Sequence, residues 1–529
     1  MTNSISETKE SDLIFIIGSN PRENHPVIGA KIKQAYRNGT KVLVADPRRI
    51  ELADEADVFM QVNVGANIAL INGMINTVIT EGLVDADYIK NHTEGYEQLK
   101  EISVKYSPEE VSEIAGVSAK DIRRAARLYA NSKAASIYYA MGITQFKTGT
   151  NGVIALSNLA LITGQIGRPG TGINPLRGQN NVQGSCDMGA FPDEYPGYQK
   201  VVDKSVTDKF EKLWGVEVPK KAGLTLPQIM DAAHHRDVKF MYIMGENPVV
   251  SDPDTKHILE SLEALDFLVV QDIFMTETAK KADLILPALT FAEKDGTFTN
   301  TERKVQRVRK AVQPVSEAKA DWEIFTELLN KFGYEINYSH PGEIMDEIAA
   351  LVPQYAGISY DRIETEGLQW PVKDKDHPGT PILHVGGAIR GRGKLVPVEY
   401  ELPGELTDET YPIILTNGRN LYHYHTRSMT AKTEGLHKKS PESYIEMNPV
   451  TCERIGVTDG DMVRVTSRRG SIKTKVVKTD KIQDGTVFMT FHFAEGSANV
   501  LTGTDAIDAK SGEPELKLTA VSVQKCEVK

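Results

Sequence analysis

The chain has 529 residues, and at roughly 150 residues per domain this is a protein of three or four domains. Its 40% hydrophobic and 25% charged residues match soluble globular proteins and exclude a disordered or fibrous chain. A net charge of −11 without any long Lys/Arg run excludes a phosphate-tracking stripe, so no nucleic-acid partner is expected.

The N-terminus, Met1 to Ser11, is polar and acidic rather than a signal peptide. No apolar stretch anywhere reaches the ~18 residues that a membrane span requires. DLIFIIGSNP (Asp12–Pro21) reads as a buried strand ending in Gly18-x-Asn20-Pro21. The amphipathic IGAKIKQAYRNG follows, then the apolar KVLVADP, which reaches Asp46; Asp57 opens a third strand-like run, ADVFMQV. Strands alternating with helical patterns predict βαβ units of a parallel sheet.

Periodicity vanishes over Thr163–Gly189, TGQIGRPGTGINPLRGQNNVQGSCDMG. From Gly164 to Gly184 this stretch holds six glycines and six Asn/Gln residues in 21 positions. A long loop without periodicity inside a compact domain is functional or disordered. Disorder predicts more charge than Arg168, Arg177 and Asp187 provide. Side-chain amides offer donors and acceptors together, which suits a fused heterocycle such as a pterin or purine. Arg177, at the centre, has the planar fork that grips a carboxylate or phosphate; the alternative is a solvent-facing arginine in a glycine-rich loop.

KFMYIMGENP (Lys239–Pro248) then repeats the opening pattern. It ends in Gly245-x-Asn247-Pro248, runs through a helical stretch to DFLVVQD at Asp272, and meets Asp283 at the start of ADLILP. Gly18 and Asp46 are 28 positions apart, Gly245 and Asp272 are 27, and each second Asp follows 11 residues later. Ligands of such sheets sit at the carboxyl ends of strands, where glycine permits close approach and an Asp accepts from a ribose or guanine edge. Two pseudo-symmetric nucleotide sites are therefore expected. The plainer reading of each GxNP is a strand-to-helix turn with Asn capping and Pro in the first turn. Neither copy is the G-x-G-x-x-G of an ordinary NAD site.

From about Glu366 to Asp408 the chain becomes rich in Pro, Gly and charge, which predicts a linker or extended wrap. PIILTNG, DGDMVRVTSRRGSIKTKVVKTD and DGTVFMTFHF beyond it predict a small β-barrel. GRNLYHYHTRSMT, beside the first of these strands, bunches Arg419, His423, His425, Arg427, Ser428 and Thr430, a set suited to phosphate. His423-x-His425 lacks a third ligand at zinc spacing. The three cysteines, Cys186, Cys452 and Cys526, are far apart without a C-x-x-C, so neither a disulfide framework nor an in-chain iron–sulfur cluster is expected. A cytoplasmic setting fits that usage.

Taken together, MGITQF, NPLRGQNNVQGSCDMG, GENPVVSDPD, QDIFMTETAKKADLILP, EKDGTFTNTERKVQ and RSMT resemble the catalytic subunit of molybdenum- or tungsten-dependent formate dehydrogenases. These are a branch of the bis-molybdopterin guanine dinucleotide oxidoreductases, and the likeness runs over essentially the whole chain. It implies an α/β fold of two pseudo-symmetric Rossmann-like domains, residues 1–179 and 180–385, each binding one dinucleotide. A linker and a six-stranded, double-psi β-barrel follow over 386–529. Motif positions bring the first dinucleotide to Gly18, Asn20, Asp46, Arg48, Gly65, Asn67, Gly142 and Gln145. They bring the second to Gly245, Glu246, Asn247, Asp272, Arg419, Ser428, Asn499 and Lys517, with Gln179, His423 and Arg427 also in the cofactor-binding set. Arg177 matches the arginine that orients formate beside the metal. Formate would be held there, its C–H cleaved toward the metal centre, and CO₂ released as two electrons pass on.

The family also carries an iron–sulfur domain before the first repeat, then a selenocysteine or cysteine that ligates the metal and a catalytic His. None of these is in the sequence. The family pattern places the ligand a short way upstream of Met1, so no metal ligand is assigned within the chain. The expectation is a reading frame begun at an internal Met downstream of a UGA selenocysteine codon, inactive alone, with any [4Fe–4S] cluster on the part before residue 1. Electron-transfer partners of iron–sulfur, flavin/NAD, ferredoxin or hydrogenase type are implied, alongside formate and CO₂. The alternatives are another member of the superfamily, such as a nitrate reductase, and a non-catalytic scaffold that keeps the cofactor fold.

Overall fold

Strand β1, Leu13–Ile17, is five apolar residues in succession, all fully buried. Burial on both faces is the mark of a central parallel strand. The computed structural model, which describes residues 1–527, pairs β1 in parallel with β2, Lys41–Ala45, and with β4, Ala135–Tyr139. With β3, Val58–Met60, and β5, Gly172–Pro175, the sheet order is β3-β2-β1-β4-β5. Helix Pro26–Arg37 turns Ile28, Ile32 and Ala35 onto one face of the sheet, and the almost wholly buried helix Asn67–Thr80 packs into the core on the other.

The second repeat forms a smaller sheet from β6, Phe240–Met244, β7, Phe267–Asp272, and β8, Leu284–Pro287. Its strands are parallel and ordered β8-β7-β6. That order equals β3-β2-β1 of the first copy, as the sequence repeat predicts. The distal aspartates of the repeat are structural in both copies. Asp57 donates its N–H to the Val42 carbonyl at 2.8 Å and accepts the Val42 N–H on Oδ2 at 2.9 Å. Asp283 makes the same pair with Leu268, at 2.9 and 2.7 Å. Each clips the entry of the third strand to the second and sets its register, so half of the repeat signal comes from sheet construction rather than from a ligand.

The C-terminal region closes into a barrel. Its strands are β9, Ile413–Gly418, β10, Tyr444–Met447, β11, Met462–Thr466, β12, Ser471–Lys478, β13, Thr486–Thr490, and β14, Thr519–Lys525. Around the barrel they run β9-β13-β10-β12-β11-β14, with β9–β13 and β10–β12 parallel and the other pairs antiparallel. The alternating buried residues of β12 and the apolar β13 fill the interior. The stretch before the barrel is an extended wrap. Gly393–Lys394 pairs with Thr93–Glu94, and Val396 and Val398 bond the amides of Asn158 and Asn72.

Two compact units result: Met1–Leu176 with Val249–Ile258 and Ile382–Lys529, and Arg177–Pro248 with Leu259–Pro381. The first α/β segment and the barrel, expected as separate domains, share one unit. Arg48 joins them, its guanidinium reaching from the end of β2 to the buried Glu446 on β10, while Asn499 ties Val250 and Ser251 of the second repeat into the same unit. Among the described residues no helix is long and apolar enough to cross a membrane.

Candidate functional site

In the first unit the site is built at the carboxyl end of β1. Gly18 has φ +55° and donates its N–H to the Ala45 carbonyl. A Cβ on Gly18 would lie 2.6 Å from the Gly142 carbonyl carbon, and a Cβ on Gly142 would lie 2.6 Å from the Gly18 Cα. The two glycines therefore let backbones approach each other, while Gly65, at φ +90°, makes room for Pro403. Asn67 locks this corner by donating Nδ2–H to the Gly142 carbonyl at 3.0 Å.

Asn20 discriminates between the two readings of GxNP. It occupies the cap position of the short helix Pro21–Asn24, yet its side chain makes no capping bond. Asn20 Oδ1, Ser19 Oγ and Asn24 Oδ1 are all buried with no protein hydrogen-bond partner. An unmet buried acceptor costs about 1–3 kcal/mol, so three in one corner favour a bound polar group.

Asp46, at the end of β2, accepts the Arg48 backbone N–H on Oδ1 at 2.9 Å. Burial pushes its carboxyl up to about 7, against the pull of that N–H and of the Arg48 and Lys517 charges. Lys517 donates to the backbone and side-chain oxygens of Asn417, both at 3.0 Å, and burial brings its ammonium down to about 8, with Arg419 adding to the fall. Gln145 accepts the Lys517 N–H and its side chain reaches Glu513. Motif matching grouped Lys517 with the second dinucleotide; the structure places it beside Asp46 and Gln145 of the first set. The Asp46 shift gives a prediction. The folded value lies above the unfolded one, so the stability that this carboxyl contributes is present at low pH and is lost as pH rises toward 7. In cofactor-free protein, Asp46→Asn should gain roughly 2 kcal/mol relative to the parent between pH 5 and 7. A difference between the two unfolding curves that does not change with pH would contradict this.

Three other assigned contacts are engaged by the fold. Arg48 is buried, bidentate on Glu446 at 2.7 and 2.6 Å, bonded to Glu23 at 3.0 Å, and stacked 4.3 Å from the Phe488 ring centre. Asn499 directs its amide at Val250 and Ser251 as described, and His423 has one ring nitrogen on Thr430 Oγ1 at 3.0 Å and the other on the Ser440 carbonyl at 2.6 Å. In all three the polar atoms have partners within the chain. His492, which sequence reasoning missed, is fully buried, accepts the Asn420 N–H on Nε2 and bonds the His425 carbonyl through Nδ1. Burial holds it neutral, down to about 3. It braces the loop carrying Arg419, Arg427 and Ser428. Arg419 lies near the rings of Tyr424 and Phe491, Arg427 packs 4.5 Å from the Phe493 ring centre, and Ser428 Oγ bonds Thr426 Oγ1. Among the described residues no group of three or more His, Cys, Asp or Glu is arranged to hold a metal ion.

In the second unit Gly245 has φ +64° with open space where a Cβ would stand. Glu246 is exposed, yet the atoms crowding it raise its carboxyl; burial likewise raises Asp272, against the N–H groups of Ile273 and Phe274. Asn247 differs from Asn20, because its amide donates to Glu277 and accepts from the N–H and hydroxyl of Thr278. The amide-rich loop rests on the block GTFTNTER: Thr301 Oγ1 accepts the Arg177 N–H at 3.1 Å, and Asn181 Oδ1 accepts the Thr299 N–H at 2.8 Å. Arg177 Nη1 lies 3.9 Å from Cys186 Sγ, and burial keeps that thiol above its ordinary value. Gln179 is half-buried beside it. Asp187, also missed as a functional residue, is buried beneath the loop and accepts four side-chain bonds.

Paired parallel sheets with repeat-related strand ends, unmet acceptors at one of them and a six-stranded barrel define a dinucleotide-cofactor-binding α/β protein. Residues 1–331 match the molybdopterin oxidoreductase family and residues 413–520 the molydopterin dinucleotide binding domain, and the chain belongs to that oxidoreductase family. It is 51% identical over 529 residues to the F420-dependent formate dehydrogenase subunit alpha of Methanocaldococcus jannaschii, covering 99% of this chain and 78% of that protein. It is 40% identical over 532 residues to formate dehydrogenase H of Escherichia coli, covering 99% and 74%. Acetylene hydratase from Pelobacter acetylenicus shares the fold, with a TM-score of 0.78 at 22% identity over 99% of this chain and 79% of that one. The unmet oxygens of Ser19, Asn20 and Asn24 and the desolvated Asp46 fit the hydroxyl and amine donors of a molybdopterin cofactor.

Proposed function

We propose that this chain is the catalytic subunit of a formate dehydrogenase. It interconverts formate with CO₂, a proton and two electrons at a molybdenum or tungsten centre carried by two pterin guanine dinucleotides. The observation that carries this reading is identity of 51% and 46% to alpha subunits of F420-dependent formate dehydrogenases over 99% of the chain. The arginine in NPLRGQNNVQG is held on a scaffold of its own. The bound cofactor supplies the two-electron redox chemistry.

The residues of the chain supply binding and orientation. Ser19, Asn20 and Asp46 serve the first dinucleotide, with Lys517 and Gln145 beside them; Gly245, Glu246 and Asp272 serve the second. Arg419, Arg427, Ser428 and Gln179 complete the set. Arg177 presents a guanidinium fork to formate, opposing its single negative charge and fixing the plane of the carboxylate. The charge disappears as CO₂ forms, so the same contact releases a neutral product. Electrons leave to a separate electron-transfer subunit.

The test is a dye-linked assay of the full-length, metal-loaded protein. Formate-dependent viologen reduction, with about two guanosine nucleotides per metal atom, is the expected result. Nitrate-dependent oxidation of reduced viologen without formate activity would overturn the proposal.

A further inference from the structure

Asp187 is 1% exposed, yet its two carboxyl oxygens accept from four different side chains. Oδ1 takes Gln183 Nε2–H at 2.8 Å and the Tyr198 hydroxyl at 2.7 Å; Oδ2 takes the Tyr355 hydroxyl at 2.6 Å and Trp370 Nε1–H at 2.7 Å. The Asp187 carbonyl also accepts the Gly197 N–H at 2.7 Å. Amide and indole groups are donors, so the carboxyl group works as an acceptor on both oxygens. Charge-assisted bonds of this kind are about twice as strong as neutral ones. Two of the four donors are local, Gln183 on the helix of Asp187 itself and Tyr198 on the turn after it, while Tyr355 and Trp370 lie 168 and 183 residues further along the chain.

That helix, Val182–Asp187, is the floor of the Arg177 loop. Asn181, at φ +57°, starts it and is tied to Thr299, whose hydroxyl in turn meets Tyr355 at 3.1 Å. Cys186, next to Asp187, is one residue that the Arg177 guanidinium touches. A shift of the helix end therefore displaces the Cys186 thiol and, with it, the guanidinium. Four bonds converging on one buried group leave no soft direction for such a shift.

We propose that Asp187 is the positioning residue for Arg177: its carboxylate, fixed by Gln183, Tyr198, Tyr355 and Trp370, holds helix Val182–Asp187 so that Arg177 meets the substrate carboxylate in one orientation. The inference rests on the reading of Arg177 as the substrate-orienting residue. Substrate geometry, not cofactor retention, is what this carboxylate controls.

The experiment is a double-mutant cycle on the metal-loaded enzyme, with KM, kcat and pterin content read for each variant. Asp187→Asn keeps the shape but presents an amide N–H to groups that are themselves donors. It should raise the formate KM by about 10-fold with kcat within about 2-fold and pterin content unchanged, and it should add nothing in an Arg177→Ala background. Trp370→Phe and Tyr355→Phe each remove one donor, and each should raise KM by about 3-fold; they serve as the test if Asp187→Asn does not accumulate. An unchanged KM in the donor variants or in Asp187→Asn overturns the proposal, as does an Asp187 effect that multiplies fully with that of Arg177→Ala. If Arg177→Ala itself leaves formate kinetics unchanged, it is the role of Arg177 that falls.

Discussion

Arg177→Ala in the metal-loaded enzyme should lower kcat/KM for formate by at least ~10²-fold while metal and pterin contents stay at the parent level. Each hydrogen bond from a charged fork to a carboxylate is worth about 1.5–3 kcal/mol, and formate has no other group by which a protein can hold it. The loss should fall mainly on KM. The negative charge that Arg177 opposes is largest in bound formate and vanishes as CO₂ forms, so removing the contact weakens the ground state at least as much as the transition state. Arg177→Lys should recover part of the affinity, because an ammonium restores charge without the fork. The loop scaffold argues that cofactor content will hold: Thr301 grips the backbone of Arg177, not its side chain, and Asn181 and Asp187 carry the rest. Near-normal formate kinetics in Arg177→Ala would remove the substrate role.

Arg48→Ala should be the most damaging substitution to stability in the first unit. Its guanidinium faces two carboxylates, Glu446 and Glu23, and Glu446 is itself buried. Breaking one side of a buried pair leaves an uncompensated charge and costs about 3–5 kcal/mol, whereas replacing both partners by apolar residues is close to neutral. Arg48→Ala should therefore lower the urea midpoint steeply, and the double variant Arg48→Met with Glu446→Leu should recover most of the loss. Phe488, stacked on the guanidinium, offers the new Met an apolar surface. A single-variant cost below about 1 kcal/mol would show that this clamp does not join β2 to the barrel.

Much of the fold was legible because its signals are local. Continuous apolar runs such as LIFII and KVLVA marked central parallel strands, and the duplicated strand–GxNP–helix–strand–Asp pattern gave two sheets with the same strand order. Three sequence segments marked four of the six barrel strands; Tyr444–Met447, four residues long between polar flanks, and Thr519–Lys525 escaped. The site was legible as a set of positions but not as a set of bonds. Arg48 and Glu446 are 398 residues apart, and Asn499 lies 249 from Val250. Nothing local reveals that these polar groups already have partners. The distal aspartates show the same limit: their spacing was correctly seen as a repeat, but the chemistry repeated is a strand clip. Asp187 was hidden because two of its four donors, Tyr355 and Trp370, are more than 160 residues away, and a lone Asp in a glycine-rich loop carries no periodic signal.

The central claim is that the chain catalyses formate/CO₂ interconversion. The most direct test follows ¹³C with the full-length, metal-loaded protein and a viologen. With oxidised viologen, ¹³C-formate should become ¹³CO₂ with two electrons counted per carbon; with reduced viologen, ¹³CO₂ should become ¹³C-formate. Both conversions should slow by at least ~10²-fold in Arg177→Ala when the carbon substrate is kept well below KM. A cofactor-replete protein that moves ¹³C in neither direction would contradict the account.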